Sequence, residues 1–227
     1  MSLRDKVIVI TGALGQLGGA VAKEVMRREG QVALVDTRHD PGAGAGRTWV
    51  VDLRSFPDVR DTMDDIARRF GGIDGLVNVA GGFTWQTLED STDLAEWEQM
   101  FSMNVMTCVN ASKAALPHLL RRDAGRIVNV SAAGSIKAAT GMGAYAASKS
   151  GVARFTEALA DELKNRRITV NAVLPSIIDT PRNREDMPDG DFSAWVKADE
   201  VAQTIIFLLS DAAAGVTGSL IPVTGRV

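Results

Sequence analysis

The sequence has little of what marks a secreted or membrane protein. Cys108 is the only cysteine among 227 residues, so no intrachain disulfide can form and an oxidising compartment is not implied. No apolar run approaches the roughly 20 residues that span a bilayer. The N-terminal apolar run is also too short for a signal peptide. We therefore expect a cytoplasmic protein without a membrane partner.

A strong charge of one sign is lacking as well. The net charge is −3, which gives no general attraction to nucleic acid. Four arginine pairs each close a predicted helix, where cations complement the helix dipole, and we interpret them as structural. The sequence thus predicts neither a nucleic-acid partner nor a metal site.

What is present is an alternation of short apolar runs with helix-prone stretches. The runs predicted as strands are Val7–Ile10, Gln31–Val35, Thr48–Val51, Asp74–Val79, Arg126–Val130, Ile168–Leu174 and Ser219–Val223. Seven such strands interleaved with helices predict an α/β fold, a doubly wound Rossmann-type parallel sheet with helices on both faces. The length suits a single domain over residues 1–227.

Two polar stretches interrupt this alternation. Residues 37–46 are rich in glycine and predict a surface loop. Ser176–Lys197 is long and polar and contains Pro181 and Pro188. A long loop at the carboxyl edge of a sheet is often a substrate loop and less often disordered, so we predict that 176–197 covers the substrate.

Two long helices are predicted, one at Leu94–Leu120, which Pro117 kinks or interrupts near its end, and one at Gly143–Lys164. Both are apolar on more than one stripe, and a helix that is apolar beyond its core face needs a second partner. We therefore expect these helices to form the interface of a homo-oligomer. The candidate interface residues are Met100, Met103, Met106, Val109 and Phe155.

A glycine-rich turn follows the first strand. Gly12, Gly15 and Gly18 precede a helix-prone stretch. Such a turn lets the backbone approach a ligand and aims free N–H groups of the helix at a phosphate. Asp36 ends the second strand at about the 20-residue distance at which an acidic side chain accepts hydrogen bonds from a ribose. Together they predict a dinucleotide site; the alternative is that the glycines serve packing alone.

Polar or small residues also stand at the ends of later strands. Asp52 and Leu53 follow the third strand, where Asp52 could contact an adenine amino group or equally cap the next helix. Asn78 lies at the end of the fourth strand and is followed by Ala80 and Gly81. Small residues at this point make room for a ligand.

Tyr145, the only tyrosine, is followed by Lys149 at i+4 on a predicted helix, so the two side chains share a face. A nearby ammonium favours phenolate, and the pair could therefore move a proton at neutral pH. Such pairs also occur on ordinary helix surfaces. Asn104 lies in the middle of the other long helix and needs a hydrogen-bond partner, and its spacing does not choose between a structural and a catalytic role.

Taken together, these features resemble the short-chain dehydrogenase/reductase family over essentially the whole chain. The matching segments are TGALGQLG, Asp36, Asp52–Leu53, NVAG at 78–81, Asn104, YAASK at 145–149 and Leu174–Pro175. The resemblance implies NAD(P)(H)-dependent hydride transfer to or from a small molecule in a homodimer or homotetramer. It assigns Tyr145 as general acid/base, Lys149 as the group that lowers its pKa and binds the nicotinamide ribose, and Asn104 as support for a water relay. The implied cofactor contacts are Gly12, Gly15, Leu17, Gly18, Asp36, Asp52, Leu53, Asn78, Ala80, Gly81, Tyr145, Lys149, Pro175 and Thr180.

Asp36 also bears on which cofactor binds. Its carboxylate would accept from the 2′-hydroxyl of NAD(H) and repel the 2′-phosphate of NADP(H). NAD(H) is therefore favoured, while the neighbouring Arg38 and Arg47 leave NADP(H) possible.

The C-terminal half resembles the dihydropteridine reductase branch of the family. The segments that carry this likeness are GMGAYAASK, LPSIIDTP, Asn183–Arg184, MPDGDFSAW and GSLIPV. The family's serine about thirteen residues before the tyrosine falls here on Ala132, and that branch lacks it too. Because neighbours on a strand point to opposite faces, we expect Ser131 to turn away from the site unless the strand end bulges. This favours a conjugated, pterin-like acceptor over a simple alcohol.

One alternative comes from a different functional class. A dinucleotide-binding protein that has lost catalysis could sense redox state or serve as a subunit. The intact Tyr145–Lys149 pair argues against it, since a protein that only binds has no need of the pair.

Overall fold

A computed structural model of the chain describes residues 1–39 and 47–227. Most of the surface loop predicted at 37–46, namely residues 40–46, lies outside the described residues.

The strands alternate with helices along the chain, as the sequence predicts. They are β1 (Val7–Thr11), β2 (Gln31–Asp36), β3 (Thr48–Val50), β4 (Gly75–Asn78), β5 (Gly125–Val130), β6 (Ile168–Pro175), β7 (Ile178–Asp179), β8 (Val196–Lys197) and β9 (Leu220–Val223). Seven of them form one sheet in the order β3-β2-β1-β4-β5-β6-β9, while β7 and β8 pair with each other. Every pair in the sheet is parallel. The predicted seven-stranded, doubly wound parallel sheet is confirmed.

The strand order reverses between β1 and β4. The chain begins at β1 in the middle of the sheet, runs outward to β3, and returns to β4 on the other side of β1. In an open parallel sheet, ligands bind outside the carboxyl ends of the strands at such a switch point. The topology therefore places a crevice beside the ends of β1 and β4.

Helices cover both faces of the sheet. They are α1 (Gln16–Arg27), α2 (Phe56–Phe70), α3 (Ala95–Met100), α4 (Thr107–Leu119), α5 (Gly143–Leu163), α6 (Pro181–Asp186) and α7 (Ala198–Leu209). One core cluster joins α1 and α7 to the sheet, and another joins α2, α4 and α5 to the opposite face. Because the central strands are buried on both sides, they appear in the sequence as continuous apolar runs, and they could be predicted from it.

The long helix predicted at 94–120 is present but irregular in an unexpected place. A π-helical segment, Phe101–Met106, separates α3 from α4. Pro117 lies inside α4 without interrupting it, and the Leu120 N–H still donates to the Leu116 carbonyl at 3.0 Å. Of the two predicted effects, a kink or an interruption, the interruption is not found, because Pro117 removes only the bond to the carbonyl of Lys113, an exposed residue that can face solvent.

The segment 176–197 is ordered rather than irregular. Thr180 Oγ1 accepts from the Asn183 N–H and begins α6. The ring of Phe192 packs edge-on against Trp195 at 4.8 Å, and the Arg184 guanidinium lies 4.6 Å above the Phe192 ring. The sequence pattern misses this structure because these contacts hold the segment together, not a periodic apolar stripe.

A membrane-spanning helix would need more length and more apolar character than any helix in the described residues has.

Candidate active site

A crevice of about 540 Å³ opens at the switch point of the sheet. Nine of the predicted cofactor residues line it, namely Gly12, Gly15, Leu17, Gly18, Asp36, Asp52, Leu53, Ala80 and Gly81. The crevice is thus built from the ends of β1, β2 and β4 and from the residues after β3. Sequence reasoning missed Gln16, Arg54 and Thr107, which also line it.

The glycine turn brings the backbone close to itself at the start of α1. A Cβ at Gly18 would lie 2.2 Å from the Gly12 carbonyl oxygen, so only glycine allows this approach. Gly15 is the N-cap of the 12-residue α1, and it has no side-chain cap. The N–H groups of the first helical turn therefore remain as donors at the crevice wall, the arrangement that suits a phosphate.

Asp36 is a buried carboxylate at the end of β2 whose two oxygens are both engaged. Oδ2 accepts from the Leu14 N–H at 3.0 Å, and Oδ1 accepts from Arg38 N–H and Nε–H, each at 3.2 Å. Burial by itself raises the pKa of Asp36, but the hydrogen bonds from Arg38 and Leu14 outweigh it, and the net pKa is lowered. The crevice thus carries a negative charge with a guanidinium beside it.

Asp52 faces the same crevice beyond β3. Its carboxylate accepts from Nε and Nη2 of Arg54, which lowers its pKa to about 2. The helix that follows has Ser55 as its N-cap, so the capping alternative for Asp52 is not realised. Asp52 and Arg54 thus present an ion pair at this end of the crevice.

Tyr145 and Lys149 lie one turn apart near the start of α5. The Lys149 side chain is buried, and its Nζ donates to the Val130 carbonyl at the end of β5 at 3.0 Å. Burial lowers the pKa of Lys149 to about 8. Burial also raises the pKa of Tyr145 to about 12, the opposite direction from that expected of a tyrosine beside an ammonium. In this structure the phenol is therefore neutral at pH 7.

Gly81 connects this pair to the crevice. A Cβ at Gly81 would lie 3.2 Å from Lys149 Nζ and 2.5 Å from Asn104 Oδ1, and Gly81 lines the crevice. The amine of Lys149 and the amide of Asn104 therefore reach the wall of the predicted cofactor site.

Asn104 is fully satisfied by its neighbours. Its Oδ1 accepts from the Gly82 N–H at 2.8 Å, and its Nδ2 donates to the Gly82 carbonyl and to Ser148 Oγ. Ser148 Oγ in turn donates to the Tyr145 carbonyl at 2.7 Å. Asn104 thus ties the end of β4 to the helix that carries Tyr145.

Several predicted site residues do not line the crevice. The Asn78 side chain donates to Ser112 Oγ and Asn129 Oδ1, so its amide joins β4 to α4 and β5 and does not line the crevice. Ser131 Oγ is buried and donates to the Lys149 carbonyl at 2.8 Å. Thr180 Oγ1 caps α6, and Pro175 ends β6.

Metal ligands are not brought together near these residues. Across residues 1–39 and 47–227, no three His, Cys, Asp or Glu side chains are grouped so that they could hold a metal ion.

The fold and crevice define an α/β protein of the dinucleotide-binding, Rossmann-like class. A family model described as short chain dehydrogenase matches residues 6–190. The chain therefore belongs to the short-chain dehydrogenase family.

Curated relatives match the chain from end to end. It is 35% identical to a 3-oxoacyl-[acyl-carrier-protein] reductase of Pseudomonas aeruginosa, with 99% of this chain and 98% of the relative covered. It is 30% identical to 2-(S)-hydroxypropyl-CoM dehydrogenase 3 of Xanthobacter autotrophicus, with 98% and 96% covered. Both relatives are oxidoreductases by name, and their substrates differ.

Solved structures agree with the fold. Ligand-free aldohexose dehydrogenase of Thermoplasma acidophilum superposes with a TM-score of 0.90 at 28% identity, covering 99% of this chain and 94% of the other. NAD⁺-bound xylitol dehydrogenase gives a TM-score of 0.91 at 25% identity, covering 99% and 100%.

Proposed function

We propose that the protein is an NAD(P)(H)-dependent oxidoreductase that uses Tyr145 as general acid/base, with Lys149 beside it. The observation that carries this proposal is the buried Lys149 amine. It lies one helical turn from the only tyrosine and 3.2 Å from the Cβ position of Gly81, a residue of the crevice wall. Burying an amine costs free energy, so its retention beside a phenol favours a chemical role over a purely structural one.

The residues that line the crevice support a dinucleotide site at its phosphate and adenosine end. We propose that the start of α1 near Gly15 and Leu17 holds the pyrophosphate, that Asp36 accepts from the adenosine ribose, and that Asp52 and Leu53 flank the adenine. Ala80, Gly81, Lys149, Pro175 and Thr180 would hold the nicotinamide end. When bound, the cofactor supplies or accepts the hydride.

The protein's own part in the reaction is the movement of a proton. A neutral Tyr145 hydroxyl can donate its proton to a substrate atom that becomes more basic as it is reduced. The Lys149 ammonium would stabilise the phenolate that remains. We propose that Asn104 supports the return of the proton, as the family resemblance implies, while its side chain fixes Gly82 and Ser148.

We further propose a conjugated, dihydropterin-like acceptor. The likeness of the C-terminal half to the dihydropteridine reductase branch supports it, as does the engagement of Ser131. The Ser131 hydroxyl donates to the Lys149 carbonyl, and the position of the family's serine is Ala132. An acceptor that needs only one donor suits this site better than a simple ketone.

An acceptor panel tests the function. Oxidation of NADH and NADPH is followed with a quinonoid dihydropterin, a 3-oxoacyl thioester and an open-chain ketone, and reduction of NAD⁺ with an aldohexose. We expect the highest kcat/KM with the dihydropterin. Cofactor binding without turnover of any compound would instead support the alternative of a catalytically inactive sensor.

Cofactor preference is a separate prediction. We expect NADH to give the higher kcat/KM, because the charged Asp36 would face a 2′-phosphate, and like-charge contacts typically cost on the order of a few kcal/mol. Asp36→Asn should raise the ratio of NADPH to NADH use by about tenfold or more. Equal or better use of NADPH by the wild type would contradict the assignment and would point to Arg38 as the phosphate ligand.

The remaining proposals concern the whole chain. We propose that residues 1–227 act as one domain, that 176–197 contacts the substrate, and that the protein works in the cytoplasm as a homodimer or homotetramer.

A further inference from the structure

Two aromatic side chains stand largely exposed on the loop that follows β4. Phe83 is 57% exposed and Trp85 is 58% exposed. Exposed apolar groups that lie together often mark a binding surface. Both rings are also fixed in position by contacts with α5 and the segment before it.

Phe83 is fixed against the proposed proton donor. Its ring meets the Tyr145 ring edge-on, with 4.9 Å between centroids and 78° between planes. The preceding residue, Gly82, has both its N–H and its carbonyl bonded to the Asn104 amide. Ser148 links that amide back to the Tyr145 carbonyl. Phe83 is therefore linked to Tyr145 both by the contact between the rings and by hydrogen bonds through Gly82, Asn104 and Ser148.

Trp85 is fixed to the segment that leads into α5. Its Nε1 donates to the Thr140 carbonyl at 2.9 Å, and the next residue, Gln86, donates its N–H to the Gly141 carbonyl at 2.9 Å. Gly141 has φ +75°, and a Cβ there would lie 2.2 Å from Trp85 Cε2. Only glycine at position 141 leaves room for the indole ring of Trp85.

A second donor beside Tyr145 is not available at the position where the family has its serine. The Ser131 hydroxyl donates to the Lys149 carbonyl, and Ala132 carries no donor. The exposed ring of Phe83, in contact with the Tyr145 ring, is then an apolar surface that could orient a substrate. A flat ring packed against fixed aromatic rings is oriented well, because aromatic pairs prefer offset-stacked or edge-to-face geometry.

We propose that Phe83 is a specificity-determining residue that packs against a planar, conjugated ring of the substrate, with Trp85 as the adjoining wall. This rests on the proposed function, since it concerns the acceptor that Tyr145 protonates. It assigns the preference for a ring to the loop after β4 and not to the segment 176–197.

Phe83→Leu tests the proposal, since it keeps an apolar side chain and removes the ring, and Phe83→Trp restores an aromatic face. The control is Phe70→Leu, the same substitution at the end of α2, where the half-buried ring packs against Trp49 and does not contact Tyr145 or line the crevice. For each variant, kcat and KM are measured with a quinonoid dihydropterin and with an open-chain ketone. NADH affinity and thermal unfolding are measured alongside.

We expect Phe83→Leu to lower kcat/KM for the dihydropterin by about three- to tenfold, mostly through KM. Turnover of the ketone, NADH affinity and the unfolding temperature should change little, Phe83→Trp should recover the dihydropterin activity, and Phe70→Leu should leave the ratio of the two substrates unchanged. An equal loss for both substrates, or no loss for either, would overturn the role of Phe83.

A second measurement separates this inference from the proposed function. If the wild type reduces no acceptor, the proposed function fails, and equilibrium binding of an oxidised pterin to the NADH-loaded protein is compared instead. Weaker pterin binding by Phe83→Leu than by Phe70→Leu would still support the ring contact. Equal binding by the two variants would overturn it.

Discussion

Tyr145 and Lys149 are shifted by burial toward their neutral forms. The pKa of Tyr145 is raised to about 12 and that of Lys149 is lowered to about 8. At pH 7 the phenol therefore holds its proton, and the amine remains an ammonium that loses its charge as the pH rises through about 8. This state suits proton donation, the direction that a reductase needs. The expected depression of the tyrosine pKa is opposed in this structure by the desolvation of the ring.

Tyr145→Phe should remove nearly all turnover and leave cofactor binding largely intact. The substitution deletes the oxygen that carries the proton and keeps the ring that packs against Phe83. Loss of general acid catalysis typically costs about 10²–10⁴-fold in rate. Steady-state kinetics and NADH titration of the same preparation check both halves of the prediction. Wild-type turnover in this variant would refute the assigned mechanism.

Ser131→Ala should have a much smaller effect. A donor that contacts developing charge is worth about 10²–10³-fold in kcat, but the Ser131 hydroxyl donates to the Lys149 carbonyl. We expect less than about tenfold loss in kcat and a modest loss of stability, on the order of 1 kcal/mol for one hydrogen bond.

Ala132→Ser is the informative contrast. It places a hydroxyl at the position of the family's serine, and we expect the activity toward an open-chain ketone to rise relative to the activity toward the dihydropterin.

For Ser131→Ala, a hundredfold loss in kcat with the fold intact would contradict the prediction and would show that the Ser131 hydroxyl acts on the substrate.

At the scale of elements, the regular parts of the fold could be predicted and the irregular parts could not. β1, β4, β5 and β6 are buried on both faces, so each appears in the sequence as an apolar run. The π-helical segment around Asn104 depends instead on hydrogen bonds to Gly82, which follows a different strand. No local pattern encodes such a contact.

The candidate site likewise contains residues that could be predicted from the sequence and residues that could not. The glycine turn, Asp36 and the Tyr145–Lys149 pair were predicted because each is a local spacing of residue types. Thr107 was missed because only the fold brings it to the crevice wall, whereas Arg54 was missed although its partner Asp52 lies two residues before it in the sequence. Asn78 was predicted beside the cofactor, and its amide donates to Ser112 and Asn129, partners that the sequence alone does not bring together.

Pro117 offers a test at this scale. It is exposed and lies within α4, where proline is about 3 kcal/mol less favourable than alanine in a helix interior. Its position near the helix end and the stiffness it gives the unfolded chain reduce that cost. We expect Pro117→Ala to stabilise the protein by about 1–2 kcal/mol in urea denaturation. Pro117→Gly should gain about 1 kcal/mol less. Destabilisation by alanine would show that the proline is needed for packing.

At the scale of the whole molecule, the two faces of the sheet are used differently. α1 and α7 cover one face. On the other face, α5 packs beside the π-helical segment, and apolar side chains remain exposed there. Of the interface residues expected from the sequence, Met100 is buried and Met103 lines the crevice, so these two are corrected. Met106 is exposed, as are Trp97 and Phe101.

These exposed residues lead to a prediction about assembly. Trp97 lies over Gly143 and Phe101 lies over Gly151 of α5, so these two exposed side chains and α5 form one apolar surface. Single-domain surfaces seldom leave such a patch uncovered. We expect light scattering at micromolar concentration to give a dimer or tetramer.

Phe101→Asp should shift the mass toward the monomer, because an unpaired charge would be buried in the interface. Met26→Asp is the matched control, since it places the same charge on an exposed apolar position of α1 and should leave the mass unchanged. A monomeric wild type, or an unchanged mass for Phe101→Asp, would show that this face is not the interface.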